Sequence, residues 1–458
     1  MDIRFNQKKY MTQLDRSISP ISHNFPTFTF PRFTEQFLAN GIKVYVVEDT
    51  SQPLVSIALT VKCGSTFEPI DGLARFTARM FTRGTTTRTA SQIADEIDSL
   101  GASISSSAGW DAAETSINCL AEFIDTATAV MADCFCNPVF DEVEIDRLRK
   151  QSIAQVQQLA ADPNYLSATA FYGEIFSGHP YSHRRHGSLD SYNKITREDC
   201  INWYNHIQNQ ECFFIVAGNI TNQGAMELLE KHFGSMKYSP ESPAIAPRAA
   251  QTTNRVVAID KPESLQTTLY IGYNTIEAKH RDYPALTLAN SIYGGMFSSR
   301  INELLREKHG FTYGVRSLID DRKISSTFIV VTSVGAESTA QSIRIILEEL
   351  ERMKLEAVTV EEFQTAKQYL LGSFVRDMET PHDVSNLLQT IELYDFPKEY
   401  YSEYFNTIVA LSHEELFRVQ QQYFRRDNIV ISAAGILEDL KYQLAEFGEV
   451  KVVSLDGE

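Results

Sequence analysis

The sequence predicts an α+β fold built twice, each copy a mostly antiparallel sheet with helices packed on one face. Three observations carry this. Segments of strand period come in runs followed by segments of helix period, not in strict strand–helix alternation. A stretch of the first half recurs in pattern in the second, and a proline-rich segment lies between them. The 458 residues, 43% of them hydrophobic, are enough for two large cores.

In chain order, Ile42 to Val47 and Leu54 to Val61 alternate apolar and polar residues as paired strands do. Asp71 to Phe81 and Ser91 to Leu100 then take helical spacing. Strand pattern returns at Ile104 to Ser107 and Thr115 to Leu120, before a helix from Ile124 to Cys136. In the second half Val256 to Ile259, Thr268 to Tyr273 and Phe328 to Val334 read as strands and Pro284 to Tyr293 as a helix. The segment from Asn137 to Gln151 recurs as Glu356 to Gln368, offset by roughly 218 residues, and each copy opens a long helix. Pro240, Pro243 and Pro247 mark the linker. The chain thus divides into an N-terminal extension (1–33), a first domain (34–236), a linker (237–253) and a second domain (254–458).

Net charge is −17 with no long basic patch, which excludes a nucleic-acid surface and favours basic or neutral partners such as peptides. No stretch approaches the ~18 apolar residues of a membrane span. Met1 to Ile21 mixes acidic with basic residues and lacks the apolar core of a secretory signal, so a cytoplasmic location is expected. The six cysteines form no C-x-x-C and several fall in apolar elements, as buried thiols do. The run His179-Pro-Tyr-Ser-His183-Arg-Arg-His186 invites a metal reading, but two arginines sit inside it and no carboxylate or cysteine completes a set. It is expected to be a turn.

The chemistry centres on Gly72-Leu-Ala-Arg-Phe-Thr-Ala-Arg-Met-Phe-Thr-Arg-Gly84. Together with Val55 to Gly64 before it and Thr85 after it, this stretch resembles the insulinase and mitochondrial processing peptidase family, at the place of its inverted zinc motif H-x-x-E-H. The resemblance covers nearly the whole chain from Thr34 and implies two domains that form a clam-like chamber. It places Arg75 and Arg79 where the family has zinc-binding histidines and Ala78 where it has the glutamate that activates water. The third ligand position, read from the register set by Pro163, is Gln155, and an accessory glutamate position is Leu148. Guanidinium has no lone pair to donate and stays charged, so this chain is expected to bind no metal itself. Arg75, Arg79 and Arg83 read either as a basic helix stripe paired with nearby carboxylates or as an anion site.

A second signature of the same family is intact. Phe297 to Val315 carries an arginine and a tyrosine seven residues apart, Arg306 and Tyr313. Ser298 or Ser299 can cap a helix with an apolar stripe of Phe297, Ile301, Leu304 and Leu305, Gly310 can end it, and a strand carrying Tyr313 should follow. The resemblance implies that the pair holds a substrate carbonyl and stabilises oxyanion charge. Without it, Arg306 reads as a partner of Glu303 or Glu307 and Tyr313 as a packing residue.

Three functions fit. The chain is the non-catalytic subunit of a heterodimeric zinc peptidase, lending Arg306 and Tyr313 to a site whose zinc sits on a homologous H-x-x-E-H-bearing partner that cleaves unfolded peptides. Alternatively it is a scaffold subunit, or a protein that closes on extended peptides without cutting them. The intact pair favours the first.

Overall fold

The computed structural model describes residues 28–240 and 255–454. Residues 1–27 of the expected extension and 241–253 of the expected linker lie outside the described residues.

Two six-stranded sheets form the frame. The first contains β1 (Thr34–Phe37), β2 (Lys43–Glu48), β3 (Leu54–Val61), β4 (Ser103–Ala108), β5 (Ala113–Leu120) and β6 (Cys212–Gly218), and the second β7 (Arg255–Asp260), β8 (Gln266–Thr275), β9 (Val315–Arg322), β10 (Ser325–Gly335), β11 (Val430–Gly435) and β12 (Val450–Val452). Their orders are β1-β2-β6-β3-β5-β4 and β12-β7-β11-β8-β10-β9. Five strands therefore repeat in the same order. In each copy one central pair is parallel, β2 with β6 and β7 with β11, and the strands beyond it are antiparallel. The sheets differ at one edge, where β1 pairs antiparallel with β2 but β12 pairs parallel with β7.

The helices of the first half are α1 (Leu73–Met80), α2 (Ala90–Ser99), α3 (Ile124–Cys136), α4 (Glu142–Ala160), α5 (Pro163–Ile175), α6 (Leu189–Lys194), α7 (Arg197–Gln208) and α8 (Asn222–Phe233). Those of the second are α9 (Tyr283–Asn290), α10 (Arg300–Asn302), α11 (Thr339–Leu355), α12 (Val360–Arg376), α13 (Pro381–Leu393), α14 (Tyr400–Ala410), α15 (His413–Tyr423) and α16 (Leu437–Leu444). The recurrent segments open α4 and α12, capped by Asp141 and Thr359, whose side-chain oxygens accept the first-turn amides. The helix expected at Pro284 to Tyr293 is α only to Asn290 and then becomes a π turn, Ser291–Gly295.

Strand periodicity decides which residues meet. In β2 and β6, Val44, Val46, Phe214 and Val216 face the first half's own helices. Their alternates Tyr45, Val47, Phe213, Ile215 and Ala217 face the other way, onto Val384, Leu388 and Ile391 of α13. The reverse contact is made by α5, whose Leu166 and Ala170 pack on Val257, Ile259 and Ala434, and whose Phe171 and Ile175 pack on Ile329 and Val430. Ser167 and Ser432 seal it by exchanging hydroxyl bonds to each other's carbonyls at 3.0 and 2.9 Å. Helices α5 and α13 stand at the same offset of roughly 218 residues as α4 and α12. Each duplicated half thus covers one sheet face with its own helices and receives one helix from the other half on the opposite face. The sequence reading foresaw the first layer and not the exchange.

Polar groups lock the two contacts. Glu392 of α13 accepts from Tyr45 at 2.6 Å and from Lys43 and Lys62 at 2.8 Å. Arg322, at the end of β9, enters a box of Trp110, Tyr172, Phe176 and Tyr181 with its guanidinium carbon 4.3 to 4.9 Å from the ring centres. It also donates to the Tyr181 carbonyl at 3.2 Å, while the Tyr181 hydroxyl donates to Asp111 at 2.6 Å.

Leu388 is fully buried between the halves, so Leu388→Ala should cost about 2–5 kcal/mol in a denaturant titration. A cost below about 1 kcal/mol would mean that the exchanged helix is not integral to the folded state. Burial would raise the Glu392 carboxyl, but bonds from Lys43, Lys62 and Tyr45 hold it below its ordinary value of 4.5. A carboxylate lowered in the folded state contributes stability that is complete above that value and is lost as pH falls through the folded value. Glu392→Gln should therefore flatten the decline of stability with acid below about pH 4.5. An unchanged acid limb would remove Glu392 from that role.

Candidate functional site

Helix α1 starts at Gly72, which takes the left-handed φ of 83°. A Cβ there would lie 2.7 Å from the Gly187 Cα, so two glycines let the loop after His183 close onto the helix start. Glu68 holds that start by accepting from the Gly72 and Ala74 amides at 2.9 and 2.8 Å. Burial pushes its carboxyl up to about 8 against the pull of those two amides.

Every residue of α1 except Arg75 and Arg79 is buried, so these two share the one open face. Ala78 belongs to the core, as does Leu148 on α4, and neither position supplies a group able to move a proton. Arg79 reaches α4, with its Nη1 3.4 Å from Ser152 Oγ and 3.5 Å from Gln155 Oε1. The structure thus brings Arg79 and Gln155 together across 76 residues of chain. Carboxylate pairing accounts for Arg83 alone, which lies 3.4 Å from Glu144 and donates to Gln151 at 2.9 Å. Among the described residues no carboxylate lies within 4.0 Å of Arg75 or Arg79.

Zinc does not fit this position. Two guanidiniums replace the imidazoles, the first acid position is a buried methyl group, and the amide oxygen at Gln155 faces Arg79. A different cluster forms nearby, where Glu68, Asp71 and His183 bring donor atoms within 4.8 Å of one another. This corrects the expectation that no carboxylate joins the His179 to His186 run, because the partners come from over a hundred residues earlier. Both Glu68 oxygens already serve the α1 amides, and His183 Nδ1 lies 3.2 Å from the Ser65 carbonyl, so the cluster reads as a brace for the helix start. The expected turn is present as Pro180–Ser182, with His179 accepting from the Tyr181 amide at 3.1 Å.

Arg306 and Tyr313 come together at an open groove of about 670 Å³ in the second half. Beyond α10 the helix widens into π turns over Glu303–Lys308, so Arg306 stands on a π segment and Gly310, at φ 65°, ends it. The Arg306 guanidinium lies between two aromatic rings, 4.6 Å from the centre of Phe297 and 5.3 Å from that of Tyr313. It also approaches Glu307 at 3.4 Å. Two expectations fail here. Phe297 is 73% exposed and precedes the helix instead of joining its buried stripe, and Tyr313 is 90% exposed in the turn before β9 instead of on the strand. Tyr313 is therefore no packing residue: its phenol stands in solvent beside a guanidinium, two donors available to one carbonyl oxygen. The groove shares no lining residue with the one beside Arg79.

Sequence reasoning missed Arg185 and His186, which the Gly72–Gly187 approach brings to the α1 face. Tyr192 donates to the His186 carbonyl at 2.7 Å, and burial, with Arg75 and Arg185 close by, pushes the His186 imidazole down to about 4.

Among known proteins, the family profile described as insulinase, peptidase family M16, matches residues 43–182, and that of the peptidase M16 inactive domain matches residues 194–370. YmxG of Bacillus subtilis, named as an uncharacterized zinc protease, is 25% identical over 85% of this chain and 95% of its own length. The beta subunit of the mitochondrial-processing peptidase of Caenorhabditis elegans is 22% identical over 56% of each chain. The crystal structure of a peptidase M16 inactive domain from Pseudomonas fluorescens superposes with a TM-score of 0.82 at 23% identity, covering 88% of this chain and 98% of that one. With the duplicated sheets and both signature regions in register, the chain is a member of the M16, or insulinase, peptidase family.

Proposed function

We propose that this chain is the non-catalytic subunit of a heterodimeric zinc metallopeptidase, to which it contributes Arg306 and Tyr313. One observation carries the reading: a half-buried guanidinium and an exposed phenol stand together at an open groove, while the position matching the family's metal ligands in the same chain holds arginine. A scaffold has no physical need to keep these two groups together at an open groove. A peptidase acting alone would need a metal that this donor set does not accept.

In the proposed assembly an extended peptide is held by strand addition in a cavity shared with a homologous chain that carries intact H-x-x-E-H and its zinc. The Arg306 charge and the Tyr313 hydroxyl orient the carbonyl oxygen and offset the negative charge that develops on it. The chain alone binds peptide without cutting it, and no helix among the described residues is long and apolar enough to cross a membrane. A cytoplasmic site of action belongs to the same proposal.

Native isolation should recover the chain with a similar-sized H-x-x-E-H relative, about one zinc per pair and cleavage of unstructured peptides. In that pair Arg306→Ala and Tyr313→Phe should each lower turnover roughly 100-fold with zinc content unchanged. Turnover indifferent to both substitutions would leave the scaffold reading in place.

A further inference from the structure

Among the described residues, the open face of α1 gathers arginines that no carboxylate meets at close range. Net charge is −17, and several arginines are paired with carboxylates: Arg88 with Glu96 and Asp133, Arg149 with Asp146, Arg300 with Glu349 and Glu362. Around the open face of α1 the pattern reverses. Among the described residues no carboxylate lies within 4.0 Å of the guanidiniums of Arg75, Arg79 or Arg185. The contacts of Arg79 to Ser152 and Gln155, at 3.4 and 3.5 Å, are at the limit of hydrogen bonding. The Nε of Arg185 and the Nδ1 of His186 are buried with no hydrogen-bond partner. Burial and the neighbouring charge of Arg75, with Arg83 for the one and Arg322 for the other, lower the Arg79 and Arg185 guanidiniums. Like charges gathered and partly desolvated without a counter-ion destabilise the fold, and a bound anion reverses the sign of that term.

The surroundings specify the anion. Helix α1 packs beside β4, the edge strand of the first sheet, which pairs only with β5. A groove of about 460 Å³ opens beside Arg79 where α1, α2 and α4 meet β4, lined by Arg79, Thr82, Arg83, Ser106, Glu144 and Arg147, with Arg75 and Arg185 outside its lining. A free strand edge pairs with extended peptide. Four residues along a helix rise about 6 Å, and alternate side chains of a strand stand about 6.6 Å apart. Arg75 and Arg79 therefore match the spacing of acidic side chains at positions i and i+2 of an extended segment.

We propose that the former metal position is a carboxylate-recognition site, in which Arg75, Arg79 and Arg185 take the alternating acidic side chains of an extended peptide lying along β4. The site selects acidic segments by charge-assisted, bidentate hydrogen bonds, at a place separate from the Arg306 and Tyr313 groove. It rests on the reading of this chain as a peptide-handling subunit, and not on the shared catalytic site.

The test uses the full chain and a fluorescein-labelled nonapeptide, Gly-Ser-Val-Asp-Val-Asp-Val-Ser-Gly, against its twin with asparagine at both aspartates, read by anisotropy at low salt. The acidic peptide should bind at least about tenfold tighter, and the preference should fade as salt is raised. Arg79→Gln, and Arg75→Gln combined with it, should bring the acidic peptide to the level of its twin, while Arg79→Lys should retain part of the preference. Equal binding of the two peptides by the unaltered chain would overturn the proposal without recourse to any variant. So would an acidic preference that survives the double substitution, or inorganic phosphate displacing the acidic peptide as well as unlabelled acidic peptide does. Cleavage that depends on Arg306 and Tyr313 without an acidic preference would sink this inference alone. The preference without such cleavage would leave it standing and remove the shared-site reading.

Discussion

Strands β6 and β11 are buried along their whole length, and neither sheet can fold with one face in water. Each half supplies helices for only one face of its own sheet. The second face is closed by a helix from the other half, α13 on β2 and β6, and α5 on β7, β8 and β11. The remaining geometry follows from this reciprocal burial. The halves of a duplicated chain are not two domains that touch, because removing one exposes the Val, Ile and Phe side chains that its helix had covered in the other.

Polar contacts then give that burial a unique arrangement. Glu392 is reached by three donors, and Arg322 is held among four rings from the opposite half. Hydrophobic burial tolerates sliding, whereas a desolvated charge pays heavily for displacement from its partners. The same α5 that closes the second sheet continues from α4, the helix bearing Gln155, and its Asn164 lines the Arg306 and Tyr313 groove. Core packing therefore fixes where both functional faces stand.

Those faces have opposite characters. At the Arg306 groove, aromatic rings flank a half-buried guanidinium that also approaches Glu307. On α1 the open face is a concentration of positive charge, braced from below by Glu68 and from the side by the loop that carries Arg185 and His186. The geometry of this helix face is set by the approach of Gly72 and Gly187.

Much of this is legible in the chain. Strand alternation, the repeat that opens α4 and α12, the two signatures and the replacement of His and Glu by Arg75, Ala78 and Arg79 are local patterns, and local patterns determine elements and donor chemistry. Even the exchange left a trace, since Phe213 to Ala217 is apolar at every position and so calls for cover on both faces. Which helix supplies that cover is not local information. The tertiary structure alone decided it, along with the meeting of Glu68 and Asp71 with His183, the exposure of Phe297 and Tyr313, and the absence, among the described residues, of carboxylates beside Arg75 and Arg79. Each depends on contacts between residues far apart in sequence, set by how two curved sheets share their helices, and periodicity within one segment carries no record of that partnership.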